Sequence, residues 1–252
     1  MYQKKTNRLD FEEASMQQYD FYIHPQEVDF TKRITISSLG SHILNAAGLA
    51  ALENGFGVDN MEKDNLTWVV SRLAIEMMEF PLQYEKISIE TWVEDFGKII
   101  TTRNFKIHCN NKLIGNASSQ WALIDIETRK AFSLQNKPEL NLFATGIASQ
   151  IEKPIKVGEI NSEVIQEHLI RYSDIDFNNH ASSMKYLEWM LDTYSVEQYA
   201  TKRIKRLDIN YLHESVFNQL ISIHRIEEEN ISLFDTKTAD GRSVCKARIM
   251  WN

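Results

Sequence analysis

Residues 36–55 read ISSLGSHILNAAGLAALENG, and the architecture is built outward from them. Leu39, Ile43, Ala46, Ala47 and Ala50 recur at spacings that place them on one face of a helix. Ser37 or Ser38 can cap its start, and Gly55 can end it. Gly40, Ala47, Gly48 and Ala51 leave parts of this helix with little side-chain bulk, which predicts close packing against a sheet. A second helix is expected over about 182–199, where Met184, Leu187, Leu191 and Tyr194 keep helical spacing.

Each helix is followed by runs rich in β-branched and aromatic residues, the composition of strands. In the first half these are LTWVVSRLAIEMM, KISIETWVEDF, IITTRNFKIHC and LIGNASSQWALIDI, punctuated by Pro81, Gly97 and Asn110-Asn111. In the second half they are IKRLDINYLH, QLISIHRIE, ISLFDTKT and SVCKARIMW, punctuated by Asn218, Asn230 and Asp240-Gly241. Alternation in the last run sets Cys245, Ala247, Ile249 and Trp251 opposite Lys246 and Arg248. The two halves repeat one order, and residues repeat with it: Arg72-Leu73-x-Ile75 aligns with Arg206-Leu207-x-Ile209, and Ile87-Ser88-Ile89 with Ile221-Ser222-Ile223. A repeat of this length is a domain duplication and not a solenoid. The expected division is an N-terminal domain over 1–135, a linker over 136–158 carrying Pro138, Gly146 and Pro154, and a C-terminal domain over 159–252. Pattern alone assigns the α+β class.

Composition narrows the function classes. Hydrophobic residues at 43% and charged residues at 25%, with 9 Gly and 4 Pro, describe a chain able to bury a core without staples. Cys109 and Cys245 have no near partner at metal-ligand spacing, so a reducing compartment and no metal are expected. The N-terminal segment lacks the apolar stretch of a secretory signal and no window is long enough to span a bilayer, from which a cytoplasmic location is expected. A net charge of −7 argues against a nucleic-acid-binding surface, which must neutralise phosphates.

The chemistry is sought in residues 171–190, RYSDIDFNNHASSMKYLEWM. Asp176, Asn178 and His180 alternate, so an extended segment would turn all three to one side just before the second helix. A carboxylate, an amide and an imidazole at a helix N-terminus suit a reaction that develops an oxyanion. In isolation the same string also reads as turn and cap residues beside an incidental histidine.

The stretch SDIDFNNHASSMKYLEWMLD closely resembles the catalytic segment of plant plastid and bacterial acyl-acyl carrier protein thioesterases, whose pattern is Ser-Asp-x-Asp-x-Asn-x-His followed by Asn-x-Lys-Tyr. NLTWVVSRLAIEM, ETWVEDFGK and ASSQWALIDIETRKAFSL resemble that family in the first half, so the resemblance runs from about Tyr22 to the C-terminus. It implies a double hot-dog fold, two long helices each wrapped by an antiparallel sheet, and hydrolysis of a fatty acyl thioester without a cofactor. By it, Asp176, Asn178 and His180 take catalytic positions, and Glu214 in Tyr211-Leu-His-Glu-Ser matches a family glutamate. Ser215 stands where plant members have a cysteine once regarded as the nucleophile, and neither Cys109 nor Cys245 matches that place. Water attack is therefore expected, with Glu214 or Asp176 as base and His180 and Asn178 as orienting groups.

The first half reads Val28-Asp-Phe-Thr-Lys-Arg at the comparable place, keeping Asp29 but offering Thr31 and Arg33 in place of Asn178 and His180. The expectation is that the first domain holds the acyl chain and the second performs the chemistry. Leu44, Trp68, Val70, Met77 and Met78 are candidate acyl-pocket residues, although apolar residues at these spacings also serve as core. Acyl carrier protein is acidic, and Lys202, Arg203, Lys205 and Arg206 form the densest basic cluster for docking it, though cations there also complement a helix end. Two readings compete: an acyl-coenzyme A thioesterase of the same fold, and a non-catalytic acyl-binding protein. Oligomeric state stays open, a homodimer being one assembly the reading allows.

Overall fold

The computed structural model describes residues 16–252. The N-terminal segment read above for a secretory signal lies mostly outside them. Ten strands form one antiparallel sheet. In chain order these are β1 (Gln17–Tyr22), β2 (Leu66–Met77), β3 (Lys86–Phe96), β4 (Ile100–Cys109), β5 (Lys112–Asp125), β6 (Val164–Leu169), β7 (Ile204–Tyr211), β8 (Leu220–Glu228), β9 (Ile231–Thr238) and β10 (Ser243–Trp251). Their order across the sheet is β1-β3-β4-β5-β2-β7-β10-β9-β8-β6. The second five mirror the first five about the β2–β7 seam. There Arg72 faces Asn210, Ala74 faces Asp208 and Glu76 faces Arg206, so Ala74 and Asp208, which occupy the same place in the repeat, meet on the pseudo-twofold axis.

Helix α1 (Ile36–Glu53) buries Leu39, Ile43, Ala46, Ala47 and Ala50 against the sheet, the face its periodicity marks. Its cap is Thr35 and not Ser37 or Ser38. Thr35 is extended, with φ −72° and ψ 152°, and its hydroxyl accepts from the Ser38 amide at 3.1 Å. A short α2 (Val58–Glu62) follows. In the second half the expected single helix is two, α3 (Ser183–Leu191) and α4 (Val196–Thr201). The break has a local cause: the Thr193 hydroxyl bonds back to the Met190 carbonyl at 2.7 Å, and Ser195 starts a new helix through a capping box with Gln198. Met184 and Leu187 of α3 are buried with Tyr194 in the core that also takes α1. Helix α1 and the broken α3–α4 pair, laid on one sheet and each with its own five strands, make the double hot-dog.

The two glycines of α1 do something other than approach the sheet. A Cβ on Gly40 would lie 2.3 Å from Met184 Sδ, so this glycine lets α1 and α3 close on each other. Around Gly48 nothing lies within 4 Å, because that stretch of α1 faces open space.

Between Asp125 and Val164 the chain makes two 3-10 turns, Leu134–Asn136 and Pro138–Phe143, and then crosses the outer face of the sheet. Polar side chains of that face hold it. Trp92 Nε1 donates to Ile147 O at 2.8 Å, Asn210 receives Val157 N at 2.8 Å and donates to Ile155 O at 2.9 Å, and Lys246 Nζ reaches Gly158 O at 3.1 Å. This crossing strap is why Arg206, Asp208, Asn210 and Lys246 are buried although they alternate away from the helices. It removes Arg206 from the expected docking patch. Arg206 is 5% exposed, bonded through Nε to Asp208 Oδ2 at 2.8 Å and paired with Glu76 across the seam.

Candidate active site

The loop between β6 and α3 is a turn and not the extended segment that alternation suggests. Asp176 N donates to His180 O at 2.9 Å, Asp176 Oδ1 accepts the Asn178 amide at 2.8 Å, and Asn179 takes the left-handed conformation with φ 61°. Asparagine tolerates that region better than most residues. Asp176, Asn178 and His180 thus reach one cavity by folding around a turn. Glu214 lies three residues beyond the end of β7, in the connection to β8, and Ala181 N donates to Ser215 O at 2.8 Å, clamping the two loops together. Across this clamp His180 Nε2 stands 3.3 Å from Glu214 Oε2, within reach but without hydrogen-bond alignment, while Arg129 from the turn after β5 pairs with Glu214 Oε1.

All four expected catalytic residues line a single cavity of about 570 Å³. Most of its remaining wall is apolar: Leu44, Ala47 and Gly48 of α1, Phe56 after it, and Trp68 and Trp121 of β2 and β5. Of the candidate acyl-pocket residues, Leu44, Trp68 and Val70 line this cavity. Met77 and Met78 do not line it. Met77 is 4% exposed and packs in the core over Gly115, where a Cβ would meet its sulfur at 2.3 Å, and Met78, beyond the strand end, points to solvent at 62% exposure. Of the expected docking cluster besides Arg206, Arg203 is turned back to donate to Tyr199 O at 2.6 Å, and Lys202 lies over the rings of Trp251 and Tyr194 at 5.5 and 5.9 Å. Only Lys205 is exposed, so the cluster is a helix end and a strand start folded inward, not a basic surface.

Burial, and then the charge of Arg129, push the His180 imidazole below its ordinary pKa, with Asp176 opposing them. The shift favours the neutral imidazole, the form able to accept a proton. Both cysteines are buried away from this cavity, and burial raises both thiols above their usual range, most strongly Cys245. Sequence reading missed Arg129, Tyr186, Tyr211 and Trp121 as lining residues. It also missed Arg103, which lines the cavity at 5% exposure with one hydrogen bond, to Thr91 Oγ1 at 3.2 Å, and which burial pushes down to about 10. The small-residue run around Gly48 was the one available signal for an open helix face.

The first half carries the same loops without the chemistry. Asp29 Oδ1 accepts the Thr31 amide at 2.7 Å, Asp29 N donates to Arg33 O at 2.8 Å, and Lys32 sits at φ 63° where Asn179 sits at 61°. Ile34 N donates to Pro81 O at 3.0 Å as Ala181 N does to Ser215 O, which sets Phe80 in the place of Glu214. The copy keeps the turn and lacks every acid-base group except the aspartate that builds it.

A double hot-dog with a carboxylate, an imidazole and an amide gathered at one end of an apolar cavity defines a thioesterase-like site. The chain belongs to the acyl-ACP (acyl carrier protein) thioesterase family: residues 14–138 match the model of its N-terminal domain and residues 158–252 that of its C-terminal domain. It is 27% identical over 253 residues to the chloroplastic acyl-[acyl-carrier-protein] hydrolase FATB2 of Cuphea viscosissima, a match covering 92% of this chain and 61% of that protein. The chain thus spans about three fifths of the length of such curated relatives. Among solved structures, an acyl-ACP thioesterase from Bacteroides thetaiotaomicron superposes with a TM-score of 0.90 at 38% identity, over 96% of this chain and 99% of that one. The 12:0-ACP thioesterase from Umbellularia californica shares the fold, with a TM-score of 0.81 at 21% identity over 94% of this chain and 97% of its own.

Proposed function

We infer that this protein hydrolyses the thioester of fatty acyl-acyl carrier protein, releasing a free fatty acid. The observation that carries this reading is the meeting of His180 and Glu214 at the end of the apolar cavity, with Asp176 and Asn178 beside them. An acyl chain lies along α1, β2 and β5 and brings its carbonyl carbon to that end. Glu214 takes a proton from a water molecule whose oxygen attacks the carbonyl carbon, and Asn178 and neutral His180 orient the water and the carbonyl. Collapse of the tetrahedral intermediate breaks the C–S bond, and the departing sulfur takes up the proton, giving the acid and the carrier thiol. In this scheme residues 1–135 supply most of the apolar wall, 136–158 the strap and 159–252 the reacting groups. The reaction fits fatty acid biosynthesis, a setting in keeping with family membership, and among the described residues no helix is long and apolar enough to cross a membrane.

Turnover of one acyl chain on acyl carrier protein and on coenzyme A tests the carrier, and a preference for coenzyme A would overturn it. The mechanism is tested by Glu214→Gln, which keeps shape but cannot accept the proton. Its kcat should fall by about 10²-fold or more, while Ser215→Ala stays within a few-fold. An inactive Ser215→Ala with an acylated Ser215 in the wild type would replace water by serine as nucleophile.

A further inference from the structure

Two phenols, Tyr186 and Tyr211, line the apolar cavity together with Asp176, Asn178, His180 and Glu214. Tyr186 is 3% exposed. The hydroxyl oxygens of both are shut off from solvent and have no hydrogen-bond partner among the described residues, a condition shared by the hydroxyl of Ser215 beside Tyr186. Buried polar groups are nearly always paired, because an unpaired hydroxyl forfeits its hydration. Two of them on one stretch of cavity wall mark a place where the partner arrives from outside the fold. Ser215 has no exposed surface and does not line the cavity, so the phenols are the hydroxyls a ligand reaches.

Their placement follows from the elements that carry them. Tyr186 is the fourth residue of α3 and Tyr211 the last of β7. Leu207, Ile209 and Tyr211 alternate onto the face of the sheet that the helices cover, and α3 brings Tyr186 down beside Tyr211, with ring centroids 6.4 Å apart. Trp189 packs edge-on against the Tyr186 ring at 5.1 Å and holds it. The first half provides a comparison within the chain. The fourth residue of α1 is Leu39 and the last of β2 is Met77, both buried and neither with a hydroxyl. The phenols thus occur in the half that holds the acid-base groups and are replaced by hydrocarbon and thioether in the half that lacks them.

Attack on a thioester moves negative charge onto the carbonyl oxygen, and that oxygen needs donors set in place beforehand. We propose that Tyr186 and Tyr211 are catalytic residues that donate their two hydroxyl hydrogens to this oxygen. Neither phenol gives up its proton. The proton of the attacking water passes to Glu214, the carbonyl oxygen takes the charge while it accepts both O–H groups, and the same electron pair re-forms the C=O as the C–S bond breaks. Burial raises both phenols well above their ordinary range, so each is a protonated donor near neutral pH. In an apolar wall these bonds are stronger than in water, and they strengthen as charge grows on the oxygen. They therefore act on the transition state more than on the bound substrate. Hydroxyls left unpaired in the free protein are donors already in position when the thioester arrives.

The inference rests on the thioesterase reading above, and the experiment separates the two. Tyr186→Phe and Tyr211→Phe each remove one hydroxyl and keep the ring. Each should lower kcat for the acyl thioester by about 10²-fold and leave KM within about threefold. Because neither hydroxyl is bonded to the folded chain, Tm should hold in both variants. An alkyl trifluoromethyl ketone, which hydrates to a tetrahedral gem-diol, probes the shape of the intermediate. Its inhibition constant should rise in each variant by a factor comparable with the fall in kcat. A kcat within a few-fold of wild type in either variant would overturn the paired assignment, and so would a loss of kcat that leaves inhibition by the ketone unchanged. A lowered Tm at unchanged kcat would return the hydroxyls to the fold. A wild-type protein that cleaves no acyl thioester yet binds the ketone more tightly than both variants would sink the proposed reaction and spare the donor pair.

Discussion

Asp176 and Asp29 do the same structural work and differ in what surrounds them. Each uses Oδ1 to hold a five-residue turn, so part of the reason for an aspartate at position 176 is local and owes nothing to catalysis. The separate contribution is measurable by substituting both. Asp29→Asn and Asp176→Asn should cost similar stability in chemical denaturation, whereas only Asp176→Asn should lower kcat, by about 10²-fold or more. Equal kcat for the two would return Asp176 to the turn alone. His180 answers to pH. Its pKa is lowered by burial and then by Arg129, and the neutral imidazole is the working form, so kcat/KM should hold as pH falls through the ordinary histidine range and drop only below it. Arg129→Met removes one of the two lowering causes. The imidazole then protonates at higher pH, and the acid limb of the pH–rate profile should move up; an unmoved limb would mean that another group controls it.

At the scale of elements, α1 is amphipathic in the usual sense on its core face and unusual on the cavity face. Gly48 meets nothing within 4 Å, so Gly48→Ala adds helix propensity worth up to about 1 kcal/mol without a clash. A higher Tm in that variant is expected. Gly48→Leu puts bulk into the apolar cavity and should shift hydrolysis toward shorter acyl chains, read from a panel of chain lengths. The helices and strands themselves were legible in the sequence because their signals are local: the 3.6-residue period of residues 39–50, alternation in 245–251, and turn residues between strands. The helix break at Thr193 was not, since Met184, Leu187, Leu191 and Tyr194 keep helical spacing across it. Arg206 shows the larger limit. Four cations in five residues look like a surface, and only the strap passing over β7 makes one of them interior. Removing its charge leaves Asp208, which has no exposed surface, with only Arg248 at 3.7 Å and the Ile155 amide, so Arg206→Met should destabilise the fold by about 3 kcal/mol in denaturant titration. A near-neutral result would mean that Arg248 alone suffices to pair Asp208.

For the molecule as a whole, the repeat visible in Arg72-Leu-x-Ile75 and Arg206-Leu-x-Ile209 turns out to be the central seam, with the two segments lying side by side about a pseudo-twofold axis. The catalytic loop was readable because Asp176, Asn178 and His180 fall within one short segment; much of the wall opposite it was not, because Arg129, Trp121 and Phe56 arrive from other strands and loops. The strap joins the halves along the sheet's outer face. Its early part is held by the first half, through Trp92 and Asn104 to Ile147 O, and its later part by the second, through Asn210, Lys246 and Lys237. A cut beside Gln150 falls between these two sets and leaves the β2–β7 pairing untouched. Two separately produced pieces, ending and beginning there, should therefore reassemble into a split enzyme. Neither piece alone can be active, since Arg129 and the apolar wall lie on one and His180 and Glu214 on the other, and recovery of hydrolysis on mixing would report their reunion. The covalent joint would then be a convenience of synthesis, with the recognition between halves written in the seam itself.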